Sequence, residues 1–309
     1  NKKILEMILL RPQNHFFENQ GRIEMDGILI VNKPKNCTSH DVVYKVKKIT
    51  NQKVGHTGTL DPMATGVLPL LIGKGTLCSK YLIEHDKIYK ATIQLGKRTT
   101  TSDQEGEIIE EQEVGDNALD FKYITEKLKE FLGKQIQTPP IYSAIKVNGK
   151  KLYEYARKGQ NIEVPKREIE IYEIELLNVD KQNKKIEYKV HCSKGTYIRS
   201  LCEDIAKKLG TIGYMASLER LKVGKFMLED SISIDNLEND NIETHIIPIE
   251  EIFKNSDKIE LNHRKLELFL NGVKLTQKFP NGVYRIYCEN KFIGTGIIKE
   301  NLLKRDVII

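Results

Sequence analysis

Apolar positions along the chain fall into a few distinct periods. Gly27 to Val31 (GILIV) is a continuous apolar run closed by Lys33-Pro34, which reads as a buried strand ended by a residue that cannot extend a ladder. Val42, Val43, Val46 and Ile49 then share one stripe at helical spacing. Thr38 or Ser39 serves as N-cap, Asp41 suits the first turn, and Lys47 and Lys48 lie where the helix dipole favours cations. A glycine-rich loop from Gly55 to Gly66 leads into the apolar run VLPLLIG, and a helix is expected from Thr76 to Glu84. Alternation at Ala91, Ile93 and Leu95 marks a strand with Tyr89 near its start, and Leu119 to Leu132 reads as an amphipathic helix stopped by Gly133. Glu168 to Val179 is read as one strand, and Ile186, Tyr188, Val190 and Cys192 alternate through another. After Gly195 the spacing of Ile198, Leu201, Ile205 and Leu209 becomes helical, giving strand, turn, helix.

From about Lys258 the tail carries NGVYRIYCENKFIGTGIIK, two alternating runs around a polar turn, as in a small β module. The acid-rich stretch from Glu229 to Glu260 is read as the linker to it. Residues 1 to 24 show no period and are set apart as an N-terminal extension. The expected organisation is a catalytic domain over residues 25–250, with an insertion around 133–167, followed by a module over 258–309.

At 309 residues the chain is long enough to bury a core without covalent staples. No window approaches the ~18 uninterrupted apolar residues of a membrane span, and no signal-peptide pattern opens the chain. A soluble cytoplasmic protein with no membrane partner is expected. The five cysteines include no CxxC pair, which argues against both a disulfide framework and a zinc ribbon. Charge is uneven. The net charge is +6, and Gly133 to Arg167 alone holds eight basic residues against two acidic ones, interleaved with Tyr142, Tyr153 and Tyr155. This is either a solvated basic loop or a surface that meets phosphates and stacks on exposed bases. Asp103 to Asp120 holds eight acids and no base, so it is expected to lie away from any polyanion.

Several chemistries are excluded by spacing. Gly73-Lys74-Gly75-Thr76 has glycine where a phosphate loop requires Ser or Thr, no GxGxxG follows a strand, and neither HExxH nor GxSxG occurs. The histidines are scattered without partners at ligand spacing, so no metal site is expected. What remains is GHTGTLDPMATGVLP, Gly55 to Pro69, a tight and sterically permissive loop. Pro62 biases Asp61 to an extended backbone. Read from the residues alone, Asp61 is either an ordinary turn carboxylate or a functional group projected from the loop.

This block resembles the signature of the bacterial tRNA pseudouridine-55 synthase family. Further matches are GILIVNKPKNCTSHDVV (Gly27 to Val43, with Asn36 where the family commonly has glycine), DKIYKATIQLGKRTTTSDQEG (Asp86 to Gly106), TPPIYSAIKVNGKKLYEYARKG (Thr138 to Gly159) and CSKGTYIRSLCEDIAKKLG (Cys192 to Gly210). The tail is similar to the family's small PUA-like RNA-binding module. The resemblance implies an α+β fold with a mixed, largely antiparallel sheet flanked by helices, and a cofactor-free isomerisation of a T-arm uridine of tRNA by a monomer.

Carried over by position, the resemblance puts the nucleophile at Asp61, the base-stacking ring at Tyr89 and the active-site arginine at Arg199. Lys33 and Tyr197 join the substrate-binding set. His56 is expected to fill the space vacated by the flipped uridine, and Asp103 to hold Arg199 from its other side. The basic insertion, with Lys146, Lys150, Lys151, Tyr155, Arg157 and Lys158, matches the part of the family that grips RNA. Burial raises a carboxylic pKa, so an ionised Asp61 needs an opposing cation, and a guanidinium at Arg199 suits that need. The rival readings are a non-catalytic tRNA-folding chaperone, a guide-RNA-dependent ribosomal RNA pseudouridine synthase, and a nucleoside glycosidase.

Overall fold

A computed structural model describes residues 18–19, 22–23, 25–83, 85–160 and 162–309. The expectation for residues 1 to 24 falls almost wholly outside them, as does Glu84 at the end of the expected helix. The first strand, β1, is Gly27–Lys33. Helix α1, Ser39–Thr50, starts in a capping box: Asp41 N donates to Thr38 Oγ1, and Thr38 N donates to Asp41 Oδ2 at 2.8 Å. Thr38 is therefore the cap. Ser39 has a different task, described below. After β2, Val54–His56, and β3, Thr65–Ile72, the expected helix from Thr76 is a 3₁₀ segment, Gly73–Cys78, that becomes α2 only at Ser79–Ile83. Close packing explains this, since a Cβ on Gly75 would stand 2.3 Å from the carbonyl of Gly27.

The next elements are β4, Lys87–Leu95, then α3, Phe121–Lys129, and β5, Gly133–Gln137. Helix α3 is shorter than its apolar stripe because the Asp120 side chain captures the N–H of Tyr123, which places the cap after Leu119. At the other end Phe131 and Leu132 close tight i to i−3 turns before Gly133, whose φ is +88°. Then follow α4, Leu152–Arg157; β6, Arg167–Asp180; β7, Lys185–Cys192; α5, Ile198–Lys208; and β8, Gly213–Val223.

An eleven-stranded mixed sheet organises this part of the chain, with the central order β1-β3-β8-β4-β7-β6-β5. All of these neighbours are antiparallel except β3 and β8, which run parallel and meet over Thr65 with Glu219 and Gly66 with Arg220. The fold is α+β, as expected. Two half-sheets therefore join over a short parallel contact, and Gly66 makes the join possible: its φ is +106°, and a Cβ there would lie 2.2 Å from the carbonyl oxygen of Arg220. One apolar core lies under β4, β6, β7, α3 and α5, and another between α1 and the β1–β3 half.

Residues 229–260 are not a free linker. Ile232–Ser233 and Ile246–Ile247 pair with β1, and Ile234, Leu237 and Ile242 bury themselves in the α1 core. Apolar residues scattered among the acids drive this packing. The tail forms a second, five-stranded sheet. Strands β9, Lys258–Glu260, and β10, Leu275–Thr276, are its edges, and β11, Gly282–Cys288, β12, Lys291–Lys299, and β13, Leu302–Ile308, lie between them, with helix His263–Leu270 alongside. It docks through Cys78, Ile249, Phe253, Val307 and Ile309, and through Asp306, which accepts from Tyr81 and Thr295. Among the described residues no helix is long and apolar enough to cross a membrane.

Candidate active site

The glycine-rich loop is held from several sides. Leu60, Met63 and Ala64 sink into the larger core, which leaves Asp61-Pro62 between buried anchors. The Ser39 hydroxyl accepts from Leu60 N at 2.8 Å and donates to Leu60 O at 3.0 Å. Asn36 N donates to Pro62 O at 2.9 Å. Its φ of +63° is a conformation that asparagine tolerates, so the turn keeps its shape without the family's glycine. Lys33 is fully buried and donates from Nζ to the carbonyls of Pro34, Cys37 and Pro62. It does not line the cavity beside Asp61, and its geometry is that of a brace for the loop.

That cavity measures about 740 Å³ and is lined by the loop from Thr57 to Asp61, by Tyr89, by Tyr142, Ser143 and Tyr153 of the insertion, by Lys194 to Arg199, and by Met215, Leu218 and Arg220 of β8. Asp61 shows 31% of its side chain to it. Arg199, in the first turn of α5 and 9% exposed, aims Nε at Asp61 Oδ2 at 3.2 Å and Nη2 at Oδ1 at 3.5 Å. From the other side Asp103, 4% exposed, places Oδ2 3.6 Å from Nη1, while its Oδ1 accepts from Thr101 Oγ1 and Glu105 N. The start of the acidic stretch, Asp103 with Glu105 beside it, thus lies at the site, against the expectation that the stretch stays away from it. Nη2 of Arg199 also donates to Tyr142 O at 3.0 Å. The two-pronged guanidinium is therefore fixed by an acid on each side and by the insertion. Burial raises the Asp61 pKa above its ordinary value. Arg199 is the strongest opposing influence, Asp103 adds to the rise, and Lys33 and Arg220 draw it down.

Tyr89 faces the cavity from an inward position of β4, its phenol pushed above its ordinary pKa by burial. Tyr197 is the N-cap of α5. Its backbone N–H and C=O are both taken by the Gln137 side-chain amide, at 2.8 and 3.0 Å, and Arg167 lies 5.5 Å from its ring centroid. His56 ends β2 outside the cavity lining. Its Nδ1 is buried without a hydrogen-bond partner among the described residues, and burial lowers its pKa, which favours the neutral ring.

In the insertion, Lys146 and Lys150 flank a tight turn at Asn148-Gly149, both with positive φ, and are exposed, as are Arg157 and Lys158. Lys151 and Arg157 lie 5.4 and 5.2 Å from the Tyr153 ring centroid. Tyr155 donates its hydroxyl to Val147 O and so braces the turn.

Sequence reasoning missed Arg220, Gln137 and Ser39. Nothing in their local pattern could have singled out the first two. Strand β8 contains two irregularities, at Met215/Ser217 and Arg220/Lys222, that break its period of two.

A family model described as TruB family pseudouridylate synthase (N terminal domain) matches residues 46–198, and one described as tRNA pseudouridylate synthase B C-terminal domain matches residues 199–254. The chain belongs to the TruB family of pseudouridylate synthases. A relative named tRNA pseudouridine synthase B from Clostridium kluyveri is 45% identical over 284 residues, covering 89% of this chain and 96% of the relative. Its counterpart from Aquifex aeolicus is 40% identical over 283 residues, covering 90% and 98%. Among solved structures, a Cbf5-Nop10-Gar1 complex matches with a TM-score of 0.64 and 26% identity over 88% of this chain and 78% of that one. An H/ACA RNP bound to a substrate RNA containing 2'-deoxyuridine shares the fold, with a TM-score of 0.65 and 21% identity over 96% and 93%. As a member of the TruB family the chain is an enzyme of pseudouridine formation.

Proposed function

We propose that this chain converts uridine 55 in the T-arm of tRNA to pseudouridine, with Asp61 as the nucleophile and without a cofactor. The observation that carries the reading is the Asp61–Arg199 pair, aimed into a cavity with Tyr89 on its wall. The reaction breaks the N1–C1′ bond, turns the base, joins C5 to C1′ and releases the C5 proton. Attack at C6 of the base and attack at C1′ of the ribose both begin from an ionised carboxylate. Arg199 favours that form against the upward pull of burial, and its rigid fork holds both oxygens in one orientation.

The target base must leave its stack, which costs a few kcal/mol. A ring at Tyr89 offers a platform worth roughly 1–3 kcal/mol. His56, at the edge of the loop, fills the space the uridine leaves, and the phosphates are met by Lys146, Lys150, Lys151, Arg157 and Lys158, with Tyr155 bracing the turn that carries the first two. The five-stranded C-terminal unit extends the RNA-binding surface. Because the free base must not escape, the bound nucleotide has to cover the cavity and keep water from the reacting bond, in contrast to a glycosidase, which must admit it.

Incubation of the purified chain with an unmodified T-arm hairpin carrying tritium at uracil C5 separates the readings. Label released to water with the base retained supports the proposal. Free uracil would reveal a glycosidase, dependence on a guide RNA and partner proteins would favour the ribosomal RNA reading, and tight binding without release would leave a chaperone.

A further inference from the structure

We infer that Arg220 is a positioning residue for the isomerisation, one buried guanidinium that holds the Asp61 loop and the Tyr89 ring in a single arrangement and presents a second fixed cation to the site. This rests on the reading of Asp61 and Tyr89 given above. Arg220 is 1% exposed and sits on β8 where the two half-sheets join, beside Gly66 of β3 on one flank and opposite Tyr89 of β4 on the other. Its Nη2 donates to Gly58 O at 3.0 Å, Nη1 to Thr59 O at 3.4 Å and Nε to Val67 O at 2.8 Å. Gly58 and Thr59 immediately precede Leu60-Asp61, so the guanidinium sets where the loop leaves the sheet. Tyr89 pairs with Arg220 across the two strands, and the charge of the guanidinium opposes the upward push of burial on the Tyr89 phenol.

No carboxylate lies within ion-pair distance of Arg220 among the described residues; its negative neighbour is the more distant Asp61. An arginine does not neutralise itself by losing its proton, and a buried charge without a counter-ion is destabilising even after relaxation. Carbonyls return part of that cost, but an apolar side chain of similar volume would avoid most of it. A cation kept under the site despite this cost is explained by the anionic carboxylate above it.

The groups that face Asp61 are Arg199 from α5, Asp103 and Glu105 from the loop after β4, Lys33 from β1, Tyr89 from β4 and Arg220 from β8. Arg199 pairs with it directly, and Arg220 acts through position and field.

The test compares Arg220→Gln, Arg220→Met and Arg220→Lys with the native chain by thermal unfolding, tRNA affinity and single-turnover tritium release across pH. Gln and Met are expected to leave tRNA affinity within about threefold while the neutral-pH rate falls by roughly tenfold or more, as misplacement of reacting groups does. Their acid limb should move to higher pH. Arg220→Lys keeps charge and donors, and should restore the position of the acid limb and part of the rate. A rate loss that merely follows loss of folded protein, with the acid limb unmoved and no recovery in Lys, overturns the inference. So does failure of all three variants to fold, which would make Arg220 a scaffold element. If the native chain itself releases no label, it is the underlying reading of the site that fails, a different result from an unchanged pH profile in the variants.

Discussion

Gln137 is the clearest place to test how the RNA-gripping insertion is tied to the chemistry. Its buried amide closes a two-point clamp on the backbone of Tyr197, two residues before Arg199, while Ser200 Oγ donates to Thr138 O and Arg199 Nη2 donates to Tyr142 O. The first strand of the insertion and the first turn of α5 are thereby stitched into one unit. Gln137→Leu preserves bulk and removes both ends of the clamp. Each lost hydrogen bond is worth about 0.5–1.5 kcal/mol net, and the half-buried Tyr197 N–H left unpaired adds a desolvation cost at the low end of ~1–3 kcal/mol, while the Tyr197 carbonyl keeps its bond from Leu201 N, so the variant should lose roughly 2–4 kcal/mol of stability.

The catalytic effect comes from Arg199. A shift of the helix start by about 1 Å would cost up to ~100-fold in rate without touching a reacting atom. Urea denaturation and single-turnover tritium release measure the two effects. Gln137→Glu keeps an acceptor for the Tyr197 N–H at the positive end of α5 but loses the donor to the carbonyl, so it should fall between native and Leu. Gln137→Leu within about 0.5 kcal/mol of native stability and at full rate would refute the reasoning, because a surface-like change has that size.

Gly66→Ala forces a side chain into φ +106° and against the backbone of Arg220, and should cost about 3 kcal/mol or more in thermal or urea unfolding. Gly55→Ala, where an added Cβ meets nothing within 4 Å, is the neutral control. If Lys146, Lys150, Lys151, Arg157 and Lys158 each neutralise a phosphate, log affinity for tRNA should fall with log salt at a slope of about −3.5 to −4.5, and a single Lys→Ala should flatten it by roughly 0.7–0.9. An affinity insensitive to salt would contradict RNA as the substrate. Because the pKa of Asp61 is raised on folding, the folded state holds that proton more tightly, and the stability this contributes below the unfolded pKa is lost as pH rises through the folded one. Asp61→Asn should therefore gain stability relative to the native chain as pH rises from acid to neutral, and a differential melting curve moving the other way would show that the ion pair outweighs burial.

Elements whose signal is local were legible in the sequence. The α1 cap, the alternation in β4 and β7, and the turn from β7 into α5 each follow from neighbours a few residues apart, and the Asp61 loop announces itself by its glycines and prolines. What escaped depends on distant partners. Strand β8 loses its period at two irregularities, so the centre of the sheet was invisible, and with it Arg220, whose three hydrogen-bond partners are carried by β3 and the loop. The role of Gln137 likewise exists only once Tyr197 lies beside it. The stretch from Glu229 to Glu260 misled because its charge is conspicuous and its buried isoleucines are isolated. Lys33 stood in a recognisable block, yet which oxygens it holds is decided by where Pro62 folds back.

Single-turnover release of tritium from C5-labelled T-arm tRNA by Asp61→Asn, with tRNA affinity measured on the same sample, tests the role of Asp61 most directly. The substitution keeps the size of the side chain and removes its charge. Binding within about threefold of native, with release lowered by at least ~1,000-fold, is the expected result for loss of a nucleophile. Release persisting at more than about one per cent of the native rate would mean that the bond to the base is broken by some other group.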